Sequence, residues 1–500
     1  MASISDTLPR VDQATNRAPR PTTYRNWLIT ITMGGAIMRL AFLGLRPYWR
    51  DEAFTALAGH RSIGAMLSVV AHDSAPPLSY LVQHLVLSVL GGPVGLRLTS
   101  AVAGSVAIPL GAALGRRVGG DRVGLWCAAT VAVFPSLVLA SRDARMYALA
   151  TTLVLATILA LWRLVERPSW QRTAVYAVCV IAALYTNYFT AFAVIAELAA
   201  ALVVLRADRR RLALAALAAT AGALTLTPWL VYARAQFTHG SSPFWVGSVG
   251  FSTVGGVVAQ FFGGPSIDAG VPGALALQVL QGVAVVIGVT GAVMLAARVR
   301  RLNPDGWRSC GFLAVSGLGA ISLLVVASVW HPLVEARYAS VMWGPLVCLV
   351  GVGLAAIRWR QVATAGLVLL AGISVVLSVA LTQPNTPALA NDVGRQIQGQ
   401  DLVASSPASY LLLLAYGNQA TRSRTRIVST NVPWYWGTAV FPPGAVLRRY
   451  PVRGSGATDR IFDVQVPGQP SAASPPVGYR PVHPRRCYST ICVTVYARRR

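Results

Sequence analysis

The sequence predicts an all-α polytopic membrane protein of about eleven transmembrane helices with a small exterior α/β domain at its C-terminal end. Three observations predict it. Of 500 residues, 54% are hydrophobic and only 12% are charged, against roughly 25% charged in a soluble domain. Apolar stretches of about 20 residues, the length a helix needs to cross a bilayer, recur along the first three quarters of the chain. Arginines gather in every second loop between those stretches, as the cytoplasmic loops of a membrane protein do.

Residues 1–26 are polar and carry Pro9, Pro19 and Pro21 with Arg10, Arg17, Arg20 and Arg25, the composition of a disordered cytoplasmic leader. Trp27 to Leu45 is the first span. Ala56-Leu57-Ala58 resembles a signal cleavage site but lies too far beyond the apolar run, so the span reads as an uncleaved anchor ending outside. Arg39 falls inside it, where a charge needs a partner: an ion pair between helices, or an anionic lipid headgroup.

Ten further spans read as Leu96–Gly115, Val123–Ser141, Met146–Trp162, Thr173–Phe189, Thr190–Leu205, Leu212–Val231, Gly273–Ala297, Ser309–Val329, Tyr338–Ile357 and Val362–Leu381. The loops holding Arg116 and Arg117, Arg163 and Arg167, Arg209 to Arg211, Arg300 and Arg301, and Arg358 and Arg360 then share one side, the cytoplasm. Counting the apolar run Pro76–Gly92 as a span would invert every later loop, so it is predicted to lie along the outer surface. Ile63–Ala71 suits a second interfacial helix.

The membrane part is thus 27–382, with exterior loops 46–95 and 232–272, the latter rich in Phe and Gly. From 383 to 500 the chain turns polar with short apolar runs, enough for one domain of strands and a few helices. Ser455–Pro476 reads as a flexible loop, and Trp434, Tyr435 and Trp436 form an aromatic run suited to carbohydrate contact or to packing. In an exported tail Cys487 and Cys492 can pair, while Cys127, Cys179, Cys310 and Cys348 lie in apolar runs and read as small hydrophobes. The net charge of +26 is all arginine, with no lysine, and its distribution over short loops speaks against nucleic acid.

Only 17 residues are acidic, yet Asp51 and Glu52 stand side by side just past the first span. A solvated helix start would place them there; so would chemistry at the membrane surface.

Asp51-Glu52-Ala53, His72-Asp73-Ser74-Ala75-Pro76-Pro77-Leu78-Ser79-Tyr80, Ser141-Arg142-Asp143-Ala144-Arg145-Met146-Tyr147, Tyr185-Thr186-Asn187-Tyr188-Phe189 and Ala336-Arg337-Tyr338 follow one another in order. In these motifs the chain resembles the bacterial branch of the GT-C glycosyltransferases, related to protein O-mannosyltransferases and to the lipid A aminoarabinose transferase. Two departures stand out: Ala75 where the family commonly has His before the paired prolines, and Asn187 where it often has His. The resemblance implies an inverting enzyme of the bacterial plasma membrane, N-terminus cytoplasmic and C-terminal domain exterior. Such an enzyme takes sugar from a polyprenyl-monophosphate donor on the outer face.

Within that frame each residue type has a reason. An acceptor hydroxyl must lose a proton as it attacks, and one carboxylate suffices; the resemblance assigns it to Asp51, with Glu52 beside it and Asp73 as runner-up base. A leaving lipid phosphate is best met by guanidinium groups. Arg142, Arg145 and Arg337 sit on exterior turns where arginine is otherwise rare, and Tyr338 follows the last. His72, Asp73, Tyr147, Tyr185, Asn187 and Tyr188 are candidate substrate contacts. Glu197, deep in a span, reads as a partner for a buried arginine. No cluster has metal-ligand spacing, so no cofactor or metal is expected; the sugar is most readily mannose, then a pentose. The acceptor is a lipoglycan, a cell-wall polysaccharide or a secreted protein. A lipid-linked sugar transporter or flippase, which would show inverted repeats, and a non-catalytic scaffold for the tail are the competing readings.

Overall fold

The computed structural model describes residues 21–41, 43–238, 246, 249–264, 274–298, 304–380, 386–399, 401–429, 432, 438–448, 450, 459–465, 478–488 and 491–498. Most of residues 1–26 and Trp434, Tyr435 and Trp436 therefore lie outside the described residues, and of the expected Ser455–Pro476 loop only 459–465 is described, where Arg460–Gln465 is a largely buried strand rather than a flexible segment.

The first helix runs Pro21–Leu40, six residues earlier than its hydropathy suggests, because Pro21 is well placed in a first helical turn. The run Gly92–Val133 is two helices broken at Gly119 and Gly120, the latter at φ +75°, a backbone that only glycine adopts without strain. The expected Val123–Ser141 span also divides. Phe134, preceding Pro135, is extended at ψ 122°, and a short helix Pro135–Ala140 follows. Then come Tyr147–Glu166, Trp170–Thr186, Thr190–Val203, Arg209–Leu224, Ala274–Arg298, Pro304–Ala327 with a π-helical turn at Val315–Gly319, Ala336–Ala355 and Arg360–Ala380.

By length and composition, seven of the described helices can cross a membrane. Leu78–Leu90, the run whose inclusion would have upset the arginine pattern, has 13 residues, about 20 Å of helix against a hydrocarbon layer of about 30 Å.

Between the first helix and Gly92 the chain forms three short helices, Arg50–Gly59, Ile63–Val70 and Leu78–Leu90, turning sharply at Gly91 and Gly92, both at positive φ. The 50–59 helix is buried along most of its length. It packs against the 78–90 helix on one side and against a helix of the C-terminal region on the other.

That region is a mixed sheet with helices. Its strands are β1 (Leu402–Ser405), β2 (Thr425–Val428), β3 (Val446–Leu447), β4 (Arg460–Gln465), β5 (Tyr479–Pro481), β6 (Arg486–Tyr488) and β7 (Ile491–Arg498), ordered β3-β2-β1-β4-β7-β5, with β6 also on β7. The pairs β1–β2, β1–β4 and β2–β3 are parallel, and β4, β5 and β6 run antiparallel to β7. The apolar run around Leu411 folds as the helix Pro407–Tyr416, with Ser406 accepting from the Ser409 N–H as its N-cap. Cys487 and Cys492 face each other across β6 and β7 and are joined by a disulfide.

The helical part and this region meet at the 50–59 helix. The Tyr416 hydroxyl accepts from the Tyr48 N–H at 2.6 Å, and the two rings lie 5.3 Å apart. Leu57 packs against the buried cluster of Tyr410, Leu414, Ile427 and Ala445, and Arg61 Nη2 donates to the Val440 carbonyl at 3.0 Å.

Two charges expected to find charged partners inside the bundle meet uncharged groups instead. Arg39 is fully buried, and among the described residues it has no ion-pair partner. It donates to the carbonyls of Gly35, Val131 and Ala132 and to Ser141 Oγ, tying the first helix to the break before Pro135. Glu197 accepts from Thr157 Oγ1 at 2.8 Å, and among the described residues no arginine bonds it and its Oε2 has no hydrogen-bond partner.

Candidate active site

Asp51 enters the first turn of the 50–59 helix, where the helix dipole favours a carboxylate. Its Oδ1 accepts from Arg50 Nε at 2.9 Å and its Oδ2 from Arg337 Nη1 at 3.2 Å. The two residues of the second pair are 286 positions apart and both keep an open side, at 16% and 29% exposure. Burial alone would lift the Asp51 pKa, but Arg50, Arg145 and Arg337 outweigh it and hold the carboxyl below its ordinary value.

Glu52 points the other way, into protein, and is 0% exposed. Arg97 grips it through Nε–Oε1 at 2.7 Å and Nη2–Oε2 at 2.6 Å, and the Ala144 N–H donates to Oε1 at 2.9 Å. The same guanidinium donates to the carbonyls of Leu43, Arg46 and Pro47. Glu52, expected beside the base with an orienting or structural role ahead of a chemical one, is a buried anchor joining the loop after the first helix to the 141–146 turn, and its partner is Arg97 rather than Arg50. Both its oxygens are occupied.

On that turn Arg145 Nη1 donates to Tyr80 Oη at 3.1 Å and to Thr55 Oγ1 at 3.3 Å, while Ser100 Oγ fixes its carbonyl. Tyr80 donates to Asp73 Oδ2 at 3.0 Å. Among the described residues Arg145 Nε has no acceptor, an unused donor in a buried cation. Asp73 is raised by burial, with Arg145 opposing. Tyr147 opens the next helix and interacts electrostatically with Arg337, Arg145 and Asp51. Asp51, Asp73, Arg145, Arg337 and Tyr147 thus converge from four separate stretches of chain.

Beside them Asp143 Oδ1 accepts from Trp49 Nε1 at 2.7 Å. Burial, with repulsion from Glu52, pushes the Asp143 carboxyl up to about 7.

Other candidates fall elsewhere. Arg142 Nη1 donates to the carbonyls of Met38 and Ala41 and so caps the end of the first helix; it is committed to backbone rather than to a phosphate. His72 is exposed, bonds the Ser68 carbonyl, and lines a separate groove with Arg61 and Thr438. Asn187 is buried and accepts from the Phe189 N–H, holding the turn between two helices. Tyr185 donates to the Thr225 carbonyl of a neighbouring helix. Tyr188 accepts from Trp229 Nε1 and donates to Gln236 Oε1. Tyr338 stacks on Phe189, centroids 4.6 Å apart and planes at 18°.

Sequence reasoning missed Arg97, Thr55, Tyr80 and Gln236. Gln236 Nε2 donates to the carbonyls of Val70 and Ala75, so Tyr188 and Gln236 together brace the loop carrying Asp73. Arg97 alone carried a readable signal: an arginine at the end of a span that the arginine pattern predicts to lie outside, where arginine is scarce.

Residues 74–232 match the family described as dolichyl-phosphate-mannose-protein mannosyltransferase. No curated protein matches the chain in sequence. The fold is similar to that of ArnT from Cupriavidus metallidurans bound to undecaprenyl phosphate, with TM-score 0.61 and 14% identity over 94% of this chain and 98% of that one. It is also similar to the archaeal oligosaccharyltransferase AglB from Archaeoglobus fulgidus in complex with an inhibitory peptide and a dolichol-phosphate, with TM-score 0.54 and 12% identity over 88% of this chain and 69% of that one. At such identities the structural likeness establishes the fold. The family match takes in the Arg145 and Tyr188 motifs, and over nearly the whole chain the fold is that of membrane glycosyltransferases such as ArnT.

Proposed function

We propose that the protein transfers one sugar, mannose by preference, from a polyprenyl-monophosphate donor to an acceptor hydroxyl at the outer face of a bacterial plasma membrane, with inversion and with Asp51 as base. The observation that carries this reading is the contact between Asp51 Oδ2 and Arg337 Nη1, with Arg145 in the same electrostatic field. A base and two guanidinium groups from distant turns meet at one place.

In the proposed step the acceptor oxygen forms a bond to the anomeric carbon and its proton passes to Asp51. The bond from that carbon to the phosphate oxygen breaks, leaving a polyprenyl phosphate. The charge gathering on the leaving oxygen is met by Arg145, which Tyr80 and Thr55 hold in place, and by Arg337. Arg337 has two tasks, and they oppose one another. While it holds Asp51, the carboxylate is ionised but a weak base. Once a donor phosphate draws the guanidinium away, Asp51 loses a stabilising partner and its basicity rises where the proton must be taken.

A lipoglycan, a polysaccharide or a secreted protein would serve as acceptor, and the C-terminal region, docked on the helix that carries Asp51, is placed to help choose it. The test is transfer of label from polyprenyl-phospho-sugars into an envelope extract by the purified protein. Asp51→Asn should abolish transfer and keep donor binding; undiminished turnover in that variant would overturn the assignment.

A further inference from the structure

A groove of ≈ 300 Å³ runs between the helix Phe251–Gly263 and the segment leading into the Ala336–Ala355 helix. Ser252, Thr253, Gln260 and Glu335 give it polar walls, and Val257 and Val334 give it apolar ones. Glu335 lies 3.8 Å from Arg337 Nε, the guanidinium whose Nη1 reaches Asp51. One arginine therefore stands between the groove and the carboxylate assigned as base.

We propose that this groove is the subsite for the sugar ring of the donor, with Glu335, Gln260, Thr253 and Ser252 as its hydroxyl-binding groups. The proposal rests on the glycosyltransfer reading and adds where the sugar sits. The volume is at the lower limit of small-molecule pockets and suits one ring; it does not suit a long isoprenoid chain. The chemistry of the walls agrees. A carboxylate accepts from sugar hydroxyls, an amide both donates and accepts, and the apolar residues suit the C–H face of a ring. Thr253 Oγ1 already accepts from the Gly250 N–H at 3.3 Å, which leaves its own O–H to donate. A carboxylate in the wall disfavours a phosphate there, which leaves the anion to the guanidinium side. Phosphate at Arg337 and Arg145 with the sugar toward Glu335 would put the anomeric carbon between them.

The full-length protein in lipid nanodiscs gives a direct test. Equilibrium binding is measured for undecaprenyl phosphate alone and for its mannosyl and arabinosyl esters. Two variants are compared, Glu335→Gln and Gly256→Leu. Gly256 lines the groove, and a side chain added there meets no heavy atom within 4 Å, so leucine fills the space and also suits a helix. Both variants should weaken the sugar-bearing lipid that binds best by about tenfold or more and leave the bare lipid phosphate unchanged. Equal weakening of both lipids would show that the groove holds the carrier, and unchanged binding of both would show that it holds no part of the donor. Either result overturns the sugar subsite while glycosyltransfer through Asp51 stands. A wild-type protein that binds none of the three lipids removes the glycosyltransferase reading and the subsite together.

Discussion

Arg97 and Glu52 form a two-pronged ion pair, at 2.7 and 2.6 Å, with 1% and 0% of their side chains exposed. Removing one partner of such a pair strands the other charge in protein, at a cost of about 3–5 kcal/mol. Glu52→Gln and Arg97→Leu should each lower the unfolding temperature of the detergent-solubilised protein. The double variant should lose less than the sum of the two, because each change removes the charge that the other leaves unpaired. A double variant at the simple sum would show that the two residues are not coupled.

Asp143 supplies a pH dependence of defined sign. Its carboxyl titrates near 7 in the folded protein, against about 3.9 in an unfolded chain. The folded state therefore holds a proton that the unfolded state releases, and the stabilisation it brings, complete below about pH 4, is lost as pH rises toward 7. Asp143→Asn keeps an oxygen for Trp49 Nε1 and cannot ionise. It should melt a few degrees higher than the wild type at pH 8 and nearly together with it at pH 4. The same difference at both values would refute the titration.

Arg142 and Arg145 are three residues apart on one turn and should fail differently. Arg142 holds the carbonyls of Met38 and Ala41, whereas Arg145 faces Asp51 and Asp73 through Thr55 and Tyr80. Arg142→Ala should lower the melting temperature and leave donor affinity within about twofold, since it removes a helix cap worth about 1 kcal/mol. Arg145→Ala should weaken donor binding by more than tenfold, the usual scale for a hydrogen bond to a charged group. A donor dissociation constant unchanged in Arg145→Ala would remove it from the phosphate site.

That contrast also marks how far the sequence could be read. The apolar runs and alternating arginine loops were legible because crossing a bilayer depends on composition summed over a whole segment. Parity also set Leu78–Leu90 apart from the spans, and the helix there has only 13 residues although the run is apolar. Asp51 stood out because acids are rare. What could not be read was direction. Asp51 and Glu52 are adjacent, but successive residues of a helix point about 100° apart, so one reaches Arg337 and the other Arg97. Which of Arg142 and Arg145 turns inward depends on the break at Pro135 and on Thr55 and Tyr80, all set by packing. The partners of Arg39 are backbone carbonyls, exposed only where helices end, and a sequence does not show them.

The C-terminal region bears on the same helix. The Tyr48 N–H donates to the Tyr416 hydroxyl, three residues before Asp51, and Leu57, on the same helix, packs into the cluster around Tyr410. Tyr416→Phe deletes one hydrogen-bond acceptor and leaves a part-buried N–H unpaired, a loss of about 1–3 kcal/mol; Tyr416→Ala also removes the ring packed on Tyr48. If this contact fixes the height of the 50–59 helix, the loss should fall on kcat more than on donor affinity, because Arg145 and Arg337, the guanidinium groups proposed for the phosphate, belong to other elements. Transfer rates and donor dissociation constants for the two variants would check this, with Ala expected to be worse than Phe. Wild-type rates in both would show that the C-terminal region is joined to the site without shaping it.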